Sequence, residues 1–433
     1  MRYQDIASVQ DEILMGSRKE DVPVNDIMAQ ILDRENLVLA LKQVKCNKGA
    51  PGVDGMTVEQ LPRYLSRHWP SLKDQLRNGT YQPQAVKRIT IPKANGGERH
   101  LGVPTVVDRF IQQAVLQILQ AQWDATFSES SYGFRPRRSA HQAIRQAQTY
   151  VRDGYHWTVD MDLEKFFDNV NRDTLMHRIK HRVSDTRLLT LIHRILKAKI
   201  NINGVCTVNR KGTPQGGPLS PLLANLLLDD LDKTLEARGH RFARYADDCN
   251  IYVKSQRAGR RVLNSLKVYL GKALKLTINE TKSAVDRPWR RKFLGFTLSM
   301  RGKRLKVSEQ SINTLKEKIR QLSNRTRGRT IHTIIVELRK YLLGWKAYFQ
   351  IAEVISPLRD IDKWIRRRLR CYHWKQWGRR GYRELRKRGV ERQLAWNTSK
   401  SAHGPWRLSG SPALYYALPN KYFAELGLPS LIK

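Results

Sequence analysis

Two short apolar runs in this chain each end in carboxylates, and that pairing restricts what it can be more than any other feature. The first reads Val159-Asp160-Met161-Asp162-Leu163-Glu164-Lys165-Phe166-Phe167-Asp168, the second Arg244-Tyr245-Ala246-Asp247-Asp248 followed by Cys249–Val253. Apolar residues ahead of Asp162 predict a buried strand. The runs flanking Ala246-Asp247-Asp248 predict a hairpin with that tripeptide at its turn. Asp is common in turns for local reasons, but adjacent carboxylates repel each other and make ionisation costly. Two such clusters in a chain of formal net charge +40 point to carboxylates held for a divalent cation. Hard oxygen ligands suit Mg²⁺, which keeps waters and takes substrate phosphates. Two such ions can stabilise the attacking and leaving oxygens of an in-line phosphoryl transfer.

The rest of the chain reads as alternating structure up to about residue 304 and as helix beyond it. Val86–Pro92 and the run into Pro104 predict two strands around the turn Lys93-Ala94-Asn95-Gly96-Gly97. Arg109–Trp123 carries Phe110, Ile111, Ala114, Val115, Ile118 and Leu119 on one helical face. Lys211–Leu219 is a Gly/Pro loop feeding a helix from about Ser220 to Leu235, and Gly259–Leu274 is another helix. Leu276–Ile278 and Phe293–Leu298 read as further short strands. Beyond residue 305, stripes such as Ile331, Ile334, Ile335, Leu338, Leu342, Trp345 and Phe349 predict packed helices, and the last 30 or so residues read as irregular.

The charge is unevenly placed. Residues 287–433 hold 35 Lys+Arg against 9 Asp+Glu, and residues 1–286 hold 44 against 30. Seven of the ten tryptophans lie in the same last third. Guanidinium groups interleaved with aromatic planes suit unpaired RNA, and an excess of this size calls for a polyanionic partner. No apolar run is long enough to cross a bilayer, so no membrane partner is expected. The N-terminus lacks the layout of a signal or transit peptide. Cys46, Cys206, Cys249 and Cys371 form no CxxC pair, and a reducing, cytoplasmic setting is the expectation.

Tyr245-Ala246-Asp247-Asp248, the upstream Asp162–Asp168 run and the loop Gly212-Thr213-Pro214-Gln215-Gly216-Gly217-Pro218-Leu219-Ser220-Pro221 occur in the order and spacing of reverse transcriptase motifs. Together they resemble group II intron-encoded reverse transcriptases, or maturases. Asn47–Gly55 resembles the lid loop of that family, and Tyr132-Gly133-Phe134-Arg135-Pro136, Leu343–Phe349 and Trp364–Arg370 are similar to further segments of it. The wording is closest to the compact bacterial class C members. No Cys/His cluster of the kind that marks the family's DNA endonuclease follows, so that nuclease is not expected and priming would come from elsewhere.

The resemblance implies an α+β right-hand polymerase followed by an α-helical thumb/maturase domain. The expected boundaries are an N-terminal helical extension (1–45), fingers with the lid (46–155), palm (156–304), thumb (305–377) and a basic tail (378–433). It implies an RNA-directed DNA polymerase that uses two Mg²⁺ ions and dNTPs on an RNA template–DNA primer duplex. Such an enzyme would also bind its parent intron RNA to assist splicing, and would reach target DNA in intron mobility. The open alternatives are a free-standing enzyme of repair or defence, a splicing factor with an unused polymerase centre, and an RNA-directed RNA polymerase.

Residue by residue, Asp162, Leu163, Asp247 and Asp248 form the implied metal set. Asp162 is preferred over Asp160 because it stands five residues before Phe167, the steric-gate position. Lys282 is the implied acid for the pyrophosphate leaving group. Lys93, Arg99, Leu163, Phe167, Gln215 and Gly216 are the implied nucleotide contacts, and Phe293-Leu294-Gly295-Phe296 the primer grip. The implied nucleic-acid contacts are Lys48, Pro51, Arg135, Lys316, Arg320, Arg366, Arg367, Arg368, Arg370, Arg379 and Arg380.

Overall fold

The computed structural model describes residues 26–92, 97–208, 212–213, 216–301, 303–325 and 328–432. It divides into two compact units, Met1–Asp286 and Arg287–Lys433. Lys93 and Gln215, both expected at the nucleotide, lie outside the described residues.

The first unit is built on two sheets. One has the order β2-β1-β4-β5, with β1 Val86–Pro92, β2 Glu98–Val103, β4 Ile200–Ile202 and β5 Val205–Thr207. The other has the order β6-β7-β3-β8, with β3 Trp157–Met161, β6 Arg241–Tyr245, β7 Asp248–Val253 and β8 Ala284–Asp286, and every pairing in it is antiparallel. Its register puts Val159 opposite Ile251 and Val285, and Met161 opposite Cys249. Val159, Met161, Cys249 and Ile251 are fully buried, as expected where a sheet face is covered by helices. Helix Gln256–Tyr269 supplies part of that cover, and helix Ser220–Ala237, apolar on nearly every turn, lies in the same core. One continuous core runs from Met28 to Ile278. The expected separation into extension, fingers and palm therefore corresponds to no break in packing within this unit.

Helix starts follow local chemistry. Asp33, Thr105, Asn171 and Ser255 each cap a helix with a side-chain oxygen, and Ser139 forms a reciprocal capping box with Gln142.

The second unit begins earlier than the expected thumb. Residues 287–304 belong with the helices that follow them, because β9 Phe296–Leu298 pairs with β10 Leu305–Val307. Helices Glu309–Leu322, Ile331–Phe349 and Ser356–Trp377 form its body, with Leu315, Ile319, Ile335, Leu338, Leu342, Ile365 and Leu369 fully buried. Trp377 is buried too, under the Arg388 guanidinium.

The last residues are not irregular. They fold into helices Pro405–Leu408, Pro412–Ala417 and Asn420–Glu425. Pro405 and Pro412 each sit in a first turn, where a missing N–H costs nothing. The buried Asp362 accepts from Ser430 Oγ and from the Leu431 amide, and Lys346 donates to the Ser430 and Ile432 carbonyls. These bonds tie the chain end to two long helices.

Candidate active site

The acidic residues meet at the ends of β3, β6 and β7. Tyr245 pairs directly with Asp248, so the turn has two residues, Ala246 and Asp247, rather than three, and Asp248 is the first residue of β7. Ala246 has φ of +59°, a left-handed conformation that a non-glycine residue adopts only when its surroundings impose it.

Those surroundings centre on Arg244, which is 1% exposed. Its guanidinium donates to Asp232 Oδ1 at 2.7 Å and Oδ2 at 2.5 Å, to Asn225 Oδ1 at 3.0 Å, to Ser131 Oγ at 2.7 Å and to the Ala246 carbonyl at 2.9 Å. Burial opposes its charge, but the Asp232 carboxylate outweighs that and raises its pKa. One side chain thus joins helix Ser220–Ala237, the loop around Ser131 and the turn itself.

That loop runs beside β6. The Arg244 amide donates to the Ser130 carbonyl, and the Tyr132 amide donates to the Arg244 carbonyl. A Cβ on Gly133 would stand 2.3 Å from the Ala246 nitrogen, so only glycine permits this approach. Asn225 Nδ2 donates to the Gly133 carbonyl at 2.8 Å. Sequence reasoning singled out Tyr132–Pro136 and the turn separately and missed Arg244, Asp232 and Asn225 as their connection. The strand Arg241–Tyr245 holds two arginines, and nothing in the linear order says that Arg244 is the one that turns inward.

Asp162 leaves β3 with its backbone fixed. Its amide donates to Ser283 Oγ at 3.0 Å and its carbonyl accepts from the Asn279 amide at 2.8 Å. The segment expected as strand Leu276–Ile278 makes a single bridge, Leu163 with Ile278, and then turns to deliver Lys282. Lys282 Nζ donates to Asp162 Oδ2 at 3.2 Å. Burial raises the pKa of Asp247 and Asp162 adds to that rise, while Arg99 and Lys282 oppose it. Asp162, Asp247, Arg99 and Lys282 therefore share one electrostatic neighbourhood, two negative charges against two positive ones.

This donor set fits a divalent cation. All its candidate side-chain ligands are carboxylate oxygens, and the repulsion that raises Asp247 is the repulsion a cation would relieve. Among the described residues no group of three or more His, Cys, Asp or Glu side chains closes into a ready-made metal cage.

Phe167 is the second residue of the short helix Phe166–Asn169 and is half-buried, edge-on to Phe166 at 5.1 Å. The Thr213 amide donates to its carbonyl at 2.8 Å, so the Gly/Pro loop braces this segment. Gly216, at φ +123°, lies so close to β2 that a Cβ would stand 2.2 Å from the Gly102 carbonyl oxygen. In the lid, Arg109 donates to the Ala50 carbonyl at 2.7 Å, while Lys48 is exposed and Pro51 half-buried.

In the second unit, the Leu294-Gly295 turn is held by Tyr348 Oη on the Leu294 carbonyl and by the Ser308 amide and Ser311 Oγ on the Gly295 carbonyl.

Two expected nucleic-acid contacts are corrected. Arg135 is 7% exposed and is used up on Asp124 and on the Ser128 and Ser131 carbonyls. Arg370 is 1% exposed, donates to the Leu418 carbonyl and to Asn420 Oδ1, and lies 3.9 Å from the Tyr415 ring centroid. Both guanidiniums staple loops or the tail, so neither reaches a phosphate. Arg320, Arg379 and Arg380 are exposed, and Lys316, Arg366, Arg367 and Arg368 are half-buried.

Comparison with known proteins agrees with this geometry. Residues 91–298 match the family model described as Reverse transcriptase (RNA-dependent DNA polymerase), and residues 312–389 match that of the Group II intron, maturase-specific domain. The chain is 37% identical over 221 residues to Protein YkfC of Escherichia coli, covering 50% of this chain and 58% of that protein. It is 40% identical over 205 residues to the Group II intron-encoded protein LtrA of Lactococcus lactis, covering 45% of this chain and 32% of LtrA. A solved Cas6-RT-Cas1–Cas2 complex aligns over 57% of this chain and 43% of its own, at 30% identity and a TM-score of 0.37. The chain thus spans less than two thirds of either curated relative.

Proposed function

Because this chain belongs to the group II intron reverse transcriptases, with both the polymerase domain and the maturase-specific domain, we propose that it copies RNA into DNA. We also propose that it binds group II intron RNA to assist splicing and intron mobility. The observation that carries the polymerase reading is the placing of Asp162 at the end of β3 beside Asp247 in the turn between β6 and β7, with Lys282 bonded to Asp162.

In this reading Asp162, Asp247, Asp248 and the Leu163 backbone hold Mg²⁺. That metal would supply Lewis acidity for the primer hydroxyl and for charge on the phosphates. The chain's own groups do the rest. Arg99, on the exposed edge of β2, offers a planar fork to the triphosphate. The half-buried ring of Phe167 crowds a ribose 2′-hydroxyl and so selects dNTPs. The Lys282 ammonium, already at the Asp162 carboxylate, is placed to give a proton to the departing pyrophosphate oxygen. Gly216 itself lies against β2 with no side chain, which would leave room for a base pair there.

Intron RNA, template–primer duplex and target DNA would be gripped by exposed or half-buried cations, among them Lys48, Lys316, Arg320, Arg366, Arg379 and Arg380. Contacts of this kind position nucleic acid without reading its sequence.

The test is primer extension on an RNA template. Wild type extends with dNTPs, and Asp247→Ala slows extension by about 1,000-fold, the size of several kcal/mol of lost charge stabilisation. Equal extension by the two proteins would refute the polymerase reading. Enrichment of a group II intron in RNA that co-purifies with the protein checks the maturase reading, and random RNA would count against it.

A further inference from the structure

A second concave site lies wholly within the C-terminal unit. A cavity of about 290 Å³ opens between the end of helix Glu309–Leu322, helix Ser356–Trp377 and helix Pro405–Leu408. Arg320, Arg325, Arg368, Trp364 and Trp406 line it, and among the described residues no carboxylate does.

Among the described residues no carboxylate pairs with these charges. Arg368 is half-buried and, among the described residues, donates to Ser323 alone, through its hydroxyl at 2.9 Å and its carbonyl at 3.5 Å. Burial and the nearby Arg320 and Arg325 all lower its pKa, so three guanidiniums repel one another across one small space. Arg325, exposed at the rim, donates to Cys371 Sγ at 3.4 Å, a weak partner for a full charge. Such a cluster is stabilised by an anion.

The remaining wall is aromatic. Arg320 and Arg368 lie 5.6 and 5.2 Å from the Trp364 ring centroid, and Arg367 lies 4.5 Å from that of Trp406. Trp406 is 40% exposed, so part of its ring is open to a ligand beside the Arg367 guanidinium. Arginine forks beside indole planes are how unpaired nucleotides are held, phosphate on the fork and base on the ring. A paired duplex shows its phosphates on a convex surface and keeps its bases inside, so it fills no concave pocket of this kind.

We propose that this cavity binds a single unpaired nucleotide of RNA, with its phosphate among Arg320, Arg325 and Arg368 and its base against Trp406. The proposal rests on the RNA-binding reading above and gives the maturase region a shape-selective contact, one that favours a bulge or loop over a continuous helix.

The experiment uses the full chain and three RNA hairpins that differ at one stem position: fully paired, carrying one unpaired nucleotide, or carrying an abasic residue in its place. Equilibrium binding of wild type is expected to favour the unpaired nucleotide by about ten-fold over the paired stem, the size of one base–aromatic stack. The abasic hairpin should lose most of that preference. Arg325→Gln and Trp406→Ala, both at exposed positions, should each bind the two intact hairpins alike while keeping wild-type affinity for the paired one, which also reports their folding.

Equal wild-type affinity for paired and unpaired hairpins overturns the pocket. So does a preference that survives both substitutions, or an abasic hairpin that binds as tightly as the unpaired one. Primer extension by the same preparation separates the two readings. Extension without hairpin preference removes the pocket alone, and hairpin preference without extension supports the pocket and removes the polymerase reading.

Discussion

At the scale of single residues, the site trades stability for chemistry. Asp247 is held partly buried beside Asp162, and both effects raise its pKa above that of an unfolded aspartate. An unfolded aspartate ionises near pH 4. Below that value both states are protonated and the site costs nothing. As pH rises through the unfolded value and then the higher folded one, the folded state holds its proton longer and loses stability, and the full cost persists at neutral pH. Asp247→Asn should therefore raise the melting temperature at pH 7–8 in divalent-free buffer by a few degrees while abolishing extension. The gain should shrink as pH is lowered toward 4. Thermal melts of the two proteins across pH check this, and a lower melting point for the variant at pH 7 would show that the site is not under repulsion. Phe167 makes a different bargain. Its ring packs on one side only, so Phe167→Ala should cost little stability while raising ribonucleotide incorporation about ten-fold or more, since one steric exclusion is worth on the order of a kcal/mol or two. Competition between dNTP and rNTP during extension reads that directly.

At the scale of elements, what matters is how one turn is held from behind. Arg244 crosses from β6 to Asp232 and Asn225 on helix Ser220–Ala237 and returns to the Ala246 carbonyl. Arg244→Met leaves Asp232 buried and unpaired, which costs about 3–5 kcal/mol. It also frees Ala246 from its left-handed conformation, so extension should fall further than the lost folded fraction explains. Denaturant unfolding and extension rate, measured on the same protein, separate the two losses. This arrangement also marks where linear reading stops. Asp162 and Asp247 could be singled out because each lies in a short motif of fixed order, whereas Lys282 and Arg99 rested on resemblance at single positions. Arg244 and Asp232 were not, because a buried ion pair between strand and helix has no linear signature and each residue alone looks like ordinary surface charge. Arg135 and Arg370 misled in the same way, since a basic run does not say which of its members turns inward. The tail helices were missed although Gly404-Pro405 and Ser411-Pro412 mark their starts. Each helix is too short to show an apolar period, and burial of Leu414, Leu418 and Phe423 against the rest of the unit is what makes them form.

At the scale of the whole molecule, the division into units at Asp286 coincides with a division of charge. The N-terminal unit carries 44 Lys+Arg against 30 Asp+Glu over 286 residues, and the C-terminal unit 35 against 9 in about half that length. Binding through so many cations releases counterions, so affinity for RNA should fall by about 10³-fold or more between 50 and 200 mM salt if six or more phosphates are engaged. A salt titration of RNA binding checks this, and a flat response would mean that few of these cations touch phosphate. In the proposed reading the same asymmetry would separate holding from making. A chain whose cations lie mostly in one unit and whose carboxylates for bond formation lie in the other would keep its template after each addition is complete. At low ionic strength, letting go of a finished strand would then be the slow event of the cycle, and a second template would wait on the first one's departure.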